Sequence, residues 1–308
     1  TANVIAKLAH GLADDMLTTT VLACRCKKII APAMNTNMYE NRIVQENIEK
    51  LKVYGYGFIE PGSGRLACGD IGVGKLADVS DIVERVLVEL KNKEQDLVGK
   101  KVLISAGPTI APIDPVRFIT NRSTGKMGYA IAENAMLRGA DVTLVTGPCA
   151  MEPPMFVKVK PVISAQDMYE AVTEEYEQTD IVIMTAAVAD YRPAQVSTEK
   201  VKKKEDDMSI PLTRTKDILA TLGASKTHQF LCGFSMETEN MLENSRKKLE
   251  KKHLDMIVAN NLKVEGAGFA GDTNVVTIIT GQEEVSLGKM TKEETALRIL
   301  DEILKATN

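Results

Sequence analysis

The stretch Lys101-Val-Leu-Ile-Ser-Ala-Gly-Pro-Thr109 decides the fold. Its apolar run, Lys101 to Ala106, reads as a buried strand that stops at small residues. A long loop follows to Gly125, and the apolar spacing then becomes helical as far as Arg138. The same alternation continues. Strands are expected at Asp141–Thr146, Phe156–Val162, Asp180–Ala187, Phe230–Phe234, Asp255–Ala259 and Val275–Ile279. Helices are expected at Ala165–Tyr176, 239–253 and 291–305. Strands alternating with helices predict a mostly parallel sheet covered on both faces. In such sheets ligands sit beyond the carboxyl ends of the strands.

Upstream, Lys91-Asn-Lys-Glu-Gln-Asp96 has no apolar period and marks a domain boundary. Before it, Thr1–Thr20 reads as one helix, with Val4, Ile5, Leu8, Leu12 and Met16 at helical spacing. Lys28–Ala33 reads as a strand, Asn41–Val53 as a helix, and Gly57–Glu60 as a short strand. A glycine-rich loop is expected over Pro61–Lys75 and a helix over Val79–Leu90. A helix without a leading strand implies that the first module starts part-way through a domain.

Composition narrows the function. The 308 residues carry a formal charge of −4 and only 4% aromatics, with no Trp. Neither a basic footprint nor a stacking platform for nucleic acid is present. The longest apolar runs, such as Ile181–Ala189, are too short to cross a bilayer, so no membrane partner is expected. The five cysteines (Cys24, Cys26, Cys68, Cys149, Cys232) are scattered, which argues for reduced thiols in a cytoplasm. Three histidines without Cys partners at metal spacing suggest no metal cluster.

Four constellations could carry chemistry. The first is Ser105-Ala-Gly-Pro-Thr109, Asp114-Pro-Val-Arg117 and Ile119-Thr-Asn-Arg-Ser-Thr-Gly-Lys-Met-Gly128. Here Ser123, Thr124 and Gly125 precede a helix whose first N–H groups could hold a phosphate. It is neither a Walker A motif nor the G-x-G-x-x-G dinucleotide fingerprint. The second is Met184-Thr-Ala-Ala-Val-Ala-Asp-Tyr-Arg-Pro193, whose small residues admit a flat ligand and whose Asp190 could accept from a ribose. The lysine-rich Glu199-Lys-Val-Lys-Lys-Lys204 follows it and reads as a mobile flap; a charge run by itself is usually a solvated surface. The third is Gly233-Phe-Ser-Met-Glu-Thr-Glu239, leading to a helix on which Lys248 and Lys252 share a face. The fourth pairs Ala31-Pro-Ala-Met-Asn-Thr-Asn-Met38 with Gly64-Arg-Leu-Ala-Cys-Gly-Asp-Ile-Gly-Val-Gly-Lys75, where Cys68 could donate a proton or hydride equivalent. A lone cysteine is more often structural.

Together these residues resemble the bifunctional bacterial decarboxylase–synthetase of coenzyme A biosynthesis, over nearly the whole chain. The resemblance implies an α/β protein of two three-layer α/β/α modules: a partial, flavodoxin-like flavoprotein domain over 1–92 and a Rossmann-like synthetase domain over 97–308. It implies CTP-dependent ligation of 4′-phosphopantothenate to L-cysteine through an acyl-cytidylate, with Mg²⁺ assisting. Asn121 would hold the acyl intermediate and Lys200 would be the catalytic lysine. Met184, Thr185, Ala186, Asp190, Phe234, Lys248 and Lys252 would contact the nucleotide, and Ser123 and Gly125 the phosphate. Arg214-Thr-Lys-Asp217 (Arg214, Thr215, Lys216, Asp217) aligns with a nucleotide loop that often reads K-N-x-D, from which Arg214-Thr215 departs. In the first module, FMN would be the cofactor, Asn35 would recognise the substrate carboxylate, and Cys68 would complete the reduction. The family's catalytic His and first flavin loop would lie before Thr1, so decarboxylation by this chain is expected to be impaired. Small-molecule substrates and self-association into a homo-oligomer are expected. An NAD(P)-dependent oxidoreductase and a non-catalytic nucleotide- or flavin-binding subunit are the alternatives.

Overall fold

The computed structural model describes residues 1–65, 71–91, 95–203, 208–237, 239–261 and 271–307. The chain divides into two compact units, Thr1–Asn92 and Lys93–Asn308.

The first unit contains α1 (Ala2–His10), α2 (Met16–Ala23), β1 (Ile29–Ile30), α3 (Thr36–Tyr39), α4 (Arg42–Val53), β2 (Gly57–Phe58), β3 (Gly62–Arg65), β4 (Ile71–Lys75) and α5 (Val79–Lys91). The single helix expected over Thr1–Thr20 is two helices. Gly11 ends α1 in the left-handed region at φ 68°, which glycine adopts without a Cβ penalty. Asp15 then starts α2 through a capping box with Thr18. The N–H of Thr18 donates to Asp15 Oδ1 at 2.8 Å. The segment Pro61–Lys75, expected as a loop, instead contains the antiparallel pair β3–β4. β1 and β2 are parallel, with Ile29 opposite Gly57. Ile5, Ala9, Val44, Ile48 and Leu51 form the core of this unit.

The second unit runs β5 (Lys101–Ala106), β6 (Ile110–Pro112), β7 (Phe118–Thr120), α6 (Lys126–Leu137), β8 (Asp141–Thr146), β9 (Lys158–Pro161), α7 (Ala165–Tyr176), β10 (Ile181–Met184), β11 (Tyr191–Pro193), β12 (Leu212–Arg214) and α8 (Ile218–Ala224). It continues with β13 (Phe230–Glu237), α9 (Met241–Lys251), β14 (Met256–Asn261), β15 (Thr273–Asn274), β16 (Val276–Thr280), β17 (Glu284–Ser286), β18 (Met290–Thr291) and α10 (Lys292–Thr307). Among the described residues its main sheet has the order β17-β16-β14-β13-β10-β5-β8-β9. The pairings from β14 to β9 are parallel; β16 and β17 add an antiparallel edge.

Helices cover both faces. Leu103, Val145, Val182, Leu231 and Ile257 pack with Met168 and Val172 of α7, Leu222 of α8 and Leu249 of α9. Side chains alternate along a strand, so Val102 and Ile104 point to the opposite face, where α6 packs against β5 and α10 packs against α6. Four consecutive buried residues in β10 reflect a strand covered on both sides. Truncating one of these side chains, such as Leu231, would cost about 2–5 kcal/mol.

Candidate active site

The carboxyl ends of β10, β13 and β14 meet the start of α6 around a cavity of about 390 Å³, within the ~300–1,000 Å³ typical of small-molecule sites. Asn121, Gly125, Thr185, Asp190, Phe234 and Lys248 are among its lining residues. A second cavity, of about 200 Å³, shares Ala186, Val188, Asp190, Phe234 and Lys248 with it and extends past Met184, Thr215, Lys216, Asp217 and Lys252. The shared residues make the two a single groove.

Local chemistry explains why each wall stands where it does. Gly125 is the N-cap of α6 at φ 79°, and no side chain caps this helix. A Cβ there would lie 2.5 Å from Cys149 Sγ, so only glycine fits both the conformation and the space. Gly128 lets α6 approach the strands, since a Cβ would meet Thr185 Oγ1 at 2.5 Å and Ala106 Cβ at 2.6 Å. The uncapped N-terminus of a twelve-residue helix therefore opens on the cavity, with Ser123 and Gly125 in its wall. Asn121 is fixed by donating from Nδ2 to the Ala187 carbonyl at 2.9 Å. The strip after β10 is held in turn. The N–H of Ala186 donates to Ser105 Oγ at 3.2 Å, and the N–H of Ala189 to Thr109 Oγ1 at 2.9 Å.

At the far end, Lys252 Nζ lies 2.9 Å from Asp217 Oδ2, and Lys248 Nζ lies 2.6 Å from Glu237 Oε1. Asp217 also caps α8, accepting the Ala220 N–H at 3.0 Å. Burial pushes the Asp217 carboxyl up, but Lys252 and the Ala220 N–H outweigh it and leave its pKa below the ordinary value.

Most of the expected synthetase residues thus meet in one groove, and the exceptions are specific. Arg214 lies exposed on β12, opposite Tyr191, and lines neither cavity. Lys200 is exposed and also lines neither. The flap reading of its neighbourhood needs correction at its root. Val201 is anchored, donating its N–H to Asp114 Oδ2 at 3.2 Å and accepting from Arg117 at 2.8 Å. A buried carboxylate beside a guanidinium supplies what the lysine run alone did not reveal. In the first unit, Asn35 caps α3 by accepting the Asn37 N–H at 2.9 Å. The assignment to Cys68 lies outside the described residues.

The sequence reading missed Lys292, Asn260 and Asn274, which also line the larger cavity, and quoted Lys126 in a motif without giving it a role. Asn260 Nδ2 donates to Asn274 Oδ1 at 2.8 Å, while Asn260 Oδ1 is buried with no partner among the described residues. Burial lowers the Lys292 pKa and nearby Lys126 adds to this, against the opposing pull of Asp272. Asn260 follows the strand expected over Asp255–Ala259, so the carboxyl-end rule could have found it.

Residues 97–307 match the family model described as DNA/pantothenate metabolism flavoprotein C-terminal domain, and residues 1–91 match that described as Flavoprotein. The chain is 50% identical over 308 residues to the coenzyme A biosynthesis bifunctional protein CoaBC of Bacillus subtilis, covering 98% of this chain and 75% of that protein. The chain belongs to the CoaBC family. A further relative, a cysteine/cysteine sulfinic acid decarboxylase from an unknown prokaryotic organism, is 45% identical and covers 99% of this chain and 86% of its own length. The crystal structure of the C-terminal domain of a CoaBC protein superposes with a TM-score of 0.60 at 48% identity, covering 69% of this chain and 97% of that one. The chain is therefore a member of a coenzyme A biosynthesis family, with a flavoprotein unit followed by a mostly parallel α/β unit. No helix among the described residues is long and apolar enough to cross a membrane.

Proposed function

We propose that the second unit ligates 4′-phosphopantothenate to L-cysteine at the expense of CTP. One observation carries this reading: a phosphate-ready helix start and Asn121 share a groove with Asp190, Lys248 and Lys252. The α6 N-terminus suits the phosphate of the acid, and the lysines suit the triphosphate. The substrate carboxylate forms a bond to the α-phosphorus of CTP, the α–β bridging P–O bond breaks, and pyrophosphate leaves. The cysteine amine then forms the C–N bond as the acyl C–O bond to CMP breaks; the amine proton passes to solvent or a base. Asn121 at the cavity wall would hold the acyl-cytidylate between these steps, and the Lys200 ammonium would offset charge growing on the phosphate and carbonyl oxygens.

Mg²⁺ fits this arrangement as a substrate-borne ion. No cluster of three or more metal-ligating side chains occurs among the described residues, and Mg²⁺ is commonly held by phosphates plus one or two carboxylates. Asp190 and Asp217 are the carboxylates lining the groove. For the first unit we infer FMN as cofactor. Its parallel β1–β2 pair and the Ala31–Asn35 loop at the carboxyl end of β1 fit the flavin position of such sheets, where bound FMN would supply a two-electron acceptor for decarboxylation. Asn35 in that loop would meet the substrate carboxylate.

Self-association is supported by apolar side chains on the two small hairpins, where Phe118 is 52%, Tyr191 47% and Leu212 49% exposed. Light scattering should therefore return a mass above the monomer, and a monomer at micromolar concentration would remove this reading.

The ligase reading is tested by mixing the protein with CTP and 4′-phosphopantothenate and withholding cysteine. About one equivalent of pyrophosphate per site is expected, with amide and CMP appearing once cysteine is added. Absence of pyrophosphate with CTP, or equal turnover with ATP, would sink the assignment as stated.

A further inference from the structure

The turn between β6 and β7 holds more than itself. Inside it, Ile113 donates its N–H to the Arg117 carbonyl at 2.8 Å. Asp114, whose side chain is fully buried, accepts the N–H groups of Val116 and Arg117 at 2.9 and 2.8 Å through Oδ1. Its Oδ2 accepts from Arg117 Nε at 3.0 Å and from the Val201 N–H at 3.2 Å. The Arg117 guanidinium closes the ring by donating to the Val201 carbonyl at 2.8 Å. Four residues earlier, the Ser197 N–H donates to the Ile113 carbonyl at 3.0 Å. Between these points Ser197 Oγ donates to the Glu199 carbonyl at 2.6 Å and fixes a local turn. Residues 197–201 are thus stapled to one turn at both ends, with Lys200 beside the second staple.

We propose that Asp114 is a positioning residue for Lys200. The proposal rests on the ligase reading of Lys200 given above. Asp114 acts through Val201: it fixes the backbone next to Lys200, so any closing movement of Lys200 is confined to its side chain. The same β6–β7 hairpin leads directly into Asn121. One rigid element therefore presents both the amide that holds the acyl group and the ammonium that meets its phosphate. A buried carboxylate suits this task, because its two oxygens accept several fixed N–H groups at once. A misplacement of about 1 Å in a positioned group can cost on the order of 10² in rate.

The test uses the full chain and two variants. Asp114→Asn keeps the shape but loses the charge, and Val201→Pro removes the N–H that Asp114 accepts while keeping the carbonyl that accepts from Arg117. Limited trypsin digestion without ligands, with fragments identified by mass spectrometry, reads the staple directly. Cleavage after Lys202 and Lys203 should rise about tenfold in both variants, and cleavage after Lys200 likewise in Asp114→Asn, while thermal midpoints stay near that of the parent protein. Turnover in Asp114→Asn should fall at least about tenfold with KM for CTP unchanged. Asp114→Asn combined with Lys200→Gln should be no slower than Lys200→Gln alone. Parent-like cleavage in both variants, or additive losses in the double variant, would overturn the proposal. If Lys200→Gln turns over normally, the ligase role of Lys200 fails, and Asp114 has nothing to position for catalysis even where cleavage shows that it holds the segment.

Discussion

Two sets of lysines enter the ligase reading, one lining the groove and one outside it, and they are built in opposite ways. Lys248 and Lys252 stand at the C-terminal end of α9, and each is already paired with a carboxylate from a different element. Their positions are set before any ligand arrives, and a phosphate has only to displace or join Glu237 and Asp217. Lys200, Lys202 and Lys203 are exposed and lie outside regular secondary structure, and the backbone next to Lys200 is tied down at Val201. A preset cation contributes to ground-state affinity. A cation brought in from a tethered segment contributes where its contact is made, and ordering its side chain is favourable only when new charge is there to meet it. The difference teaches that charge alone does not assign a role; the stiffness of what carries the charge matters as much.

The largest expected effect separates the two sets. Lys200→Gln should lower turnover by on the order of 10²–10³ with CTP affinity little changed, as loss of one transition-state contact does. Lys203→Gln on the same segment is the control and should cost less than about threefold, the scale of an exposed charge. Rapid-quench measurement of pyrophosphate release and amide formation checks both. Equal losses from the two substitutions would make the segment a diffuse phosphate attractor and erase the contrast. A smaller effect, of the other kind, is expected from Lys248→Gln. KM for CTP should rise about tenfold, the worth of one charge-assisted hydrogen bond, while turnover at saturating CTP holds. A fall in turnover without a KM change would move Lys248 into the transition-state class.

The parallel strands were legible because burial on both faces leaves an uninterrupted apolar run, as in Lys101–Ala106 and Ile181–Met184. The small hairpins were not. β6, β7, β11 and β12 have three residues each; Pro112 and Pro193 interrupt the pattern, and their exposed residues carry no alternation. The break between α1 and α2 was hidden because the apolar spacing of Leu8, Leu12 and Met16 runs across Gly11, whose left-handed φ overrides it. In the groove, Asn121, Asp190 and the α9 lysines announce themselves by motif. Asn260, Asn274 and Lys292 do not, because residues distant in sequence converge there only through the β14–β16 pairing and the start of α10. Asp114 was quoted as part of a motif, but its hold on Val201 spans 87 residues of sequence, a separation that local pattern does not encode.

One arginine has a consequence for how the second unit is closed. Arg138, at the end of α6, donates from Nε to Asp96 at 2.8 Å and from NH1 to Asp301 of α10 at 2.7 Å. Close by in sequence to those two acids, Lys100 and Thr307 border the same cavity at the amino ends of the central strands, away from the ligand groove. The unit thus behaves as a loop of chain whose beginning and end are clipped together by a single planar cation. Topologically it is nearly circular: a peptide link from the end of α10 back to the residues before β5 would bridge neighbours, and the place where the chain is cut is separable from the place where it works.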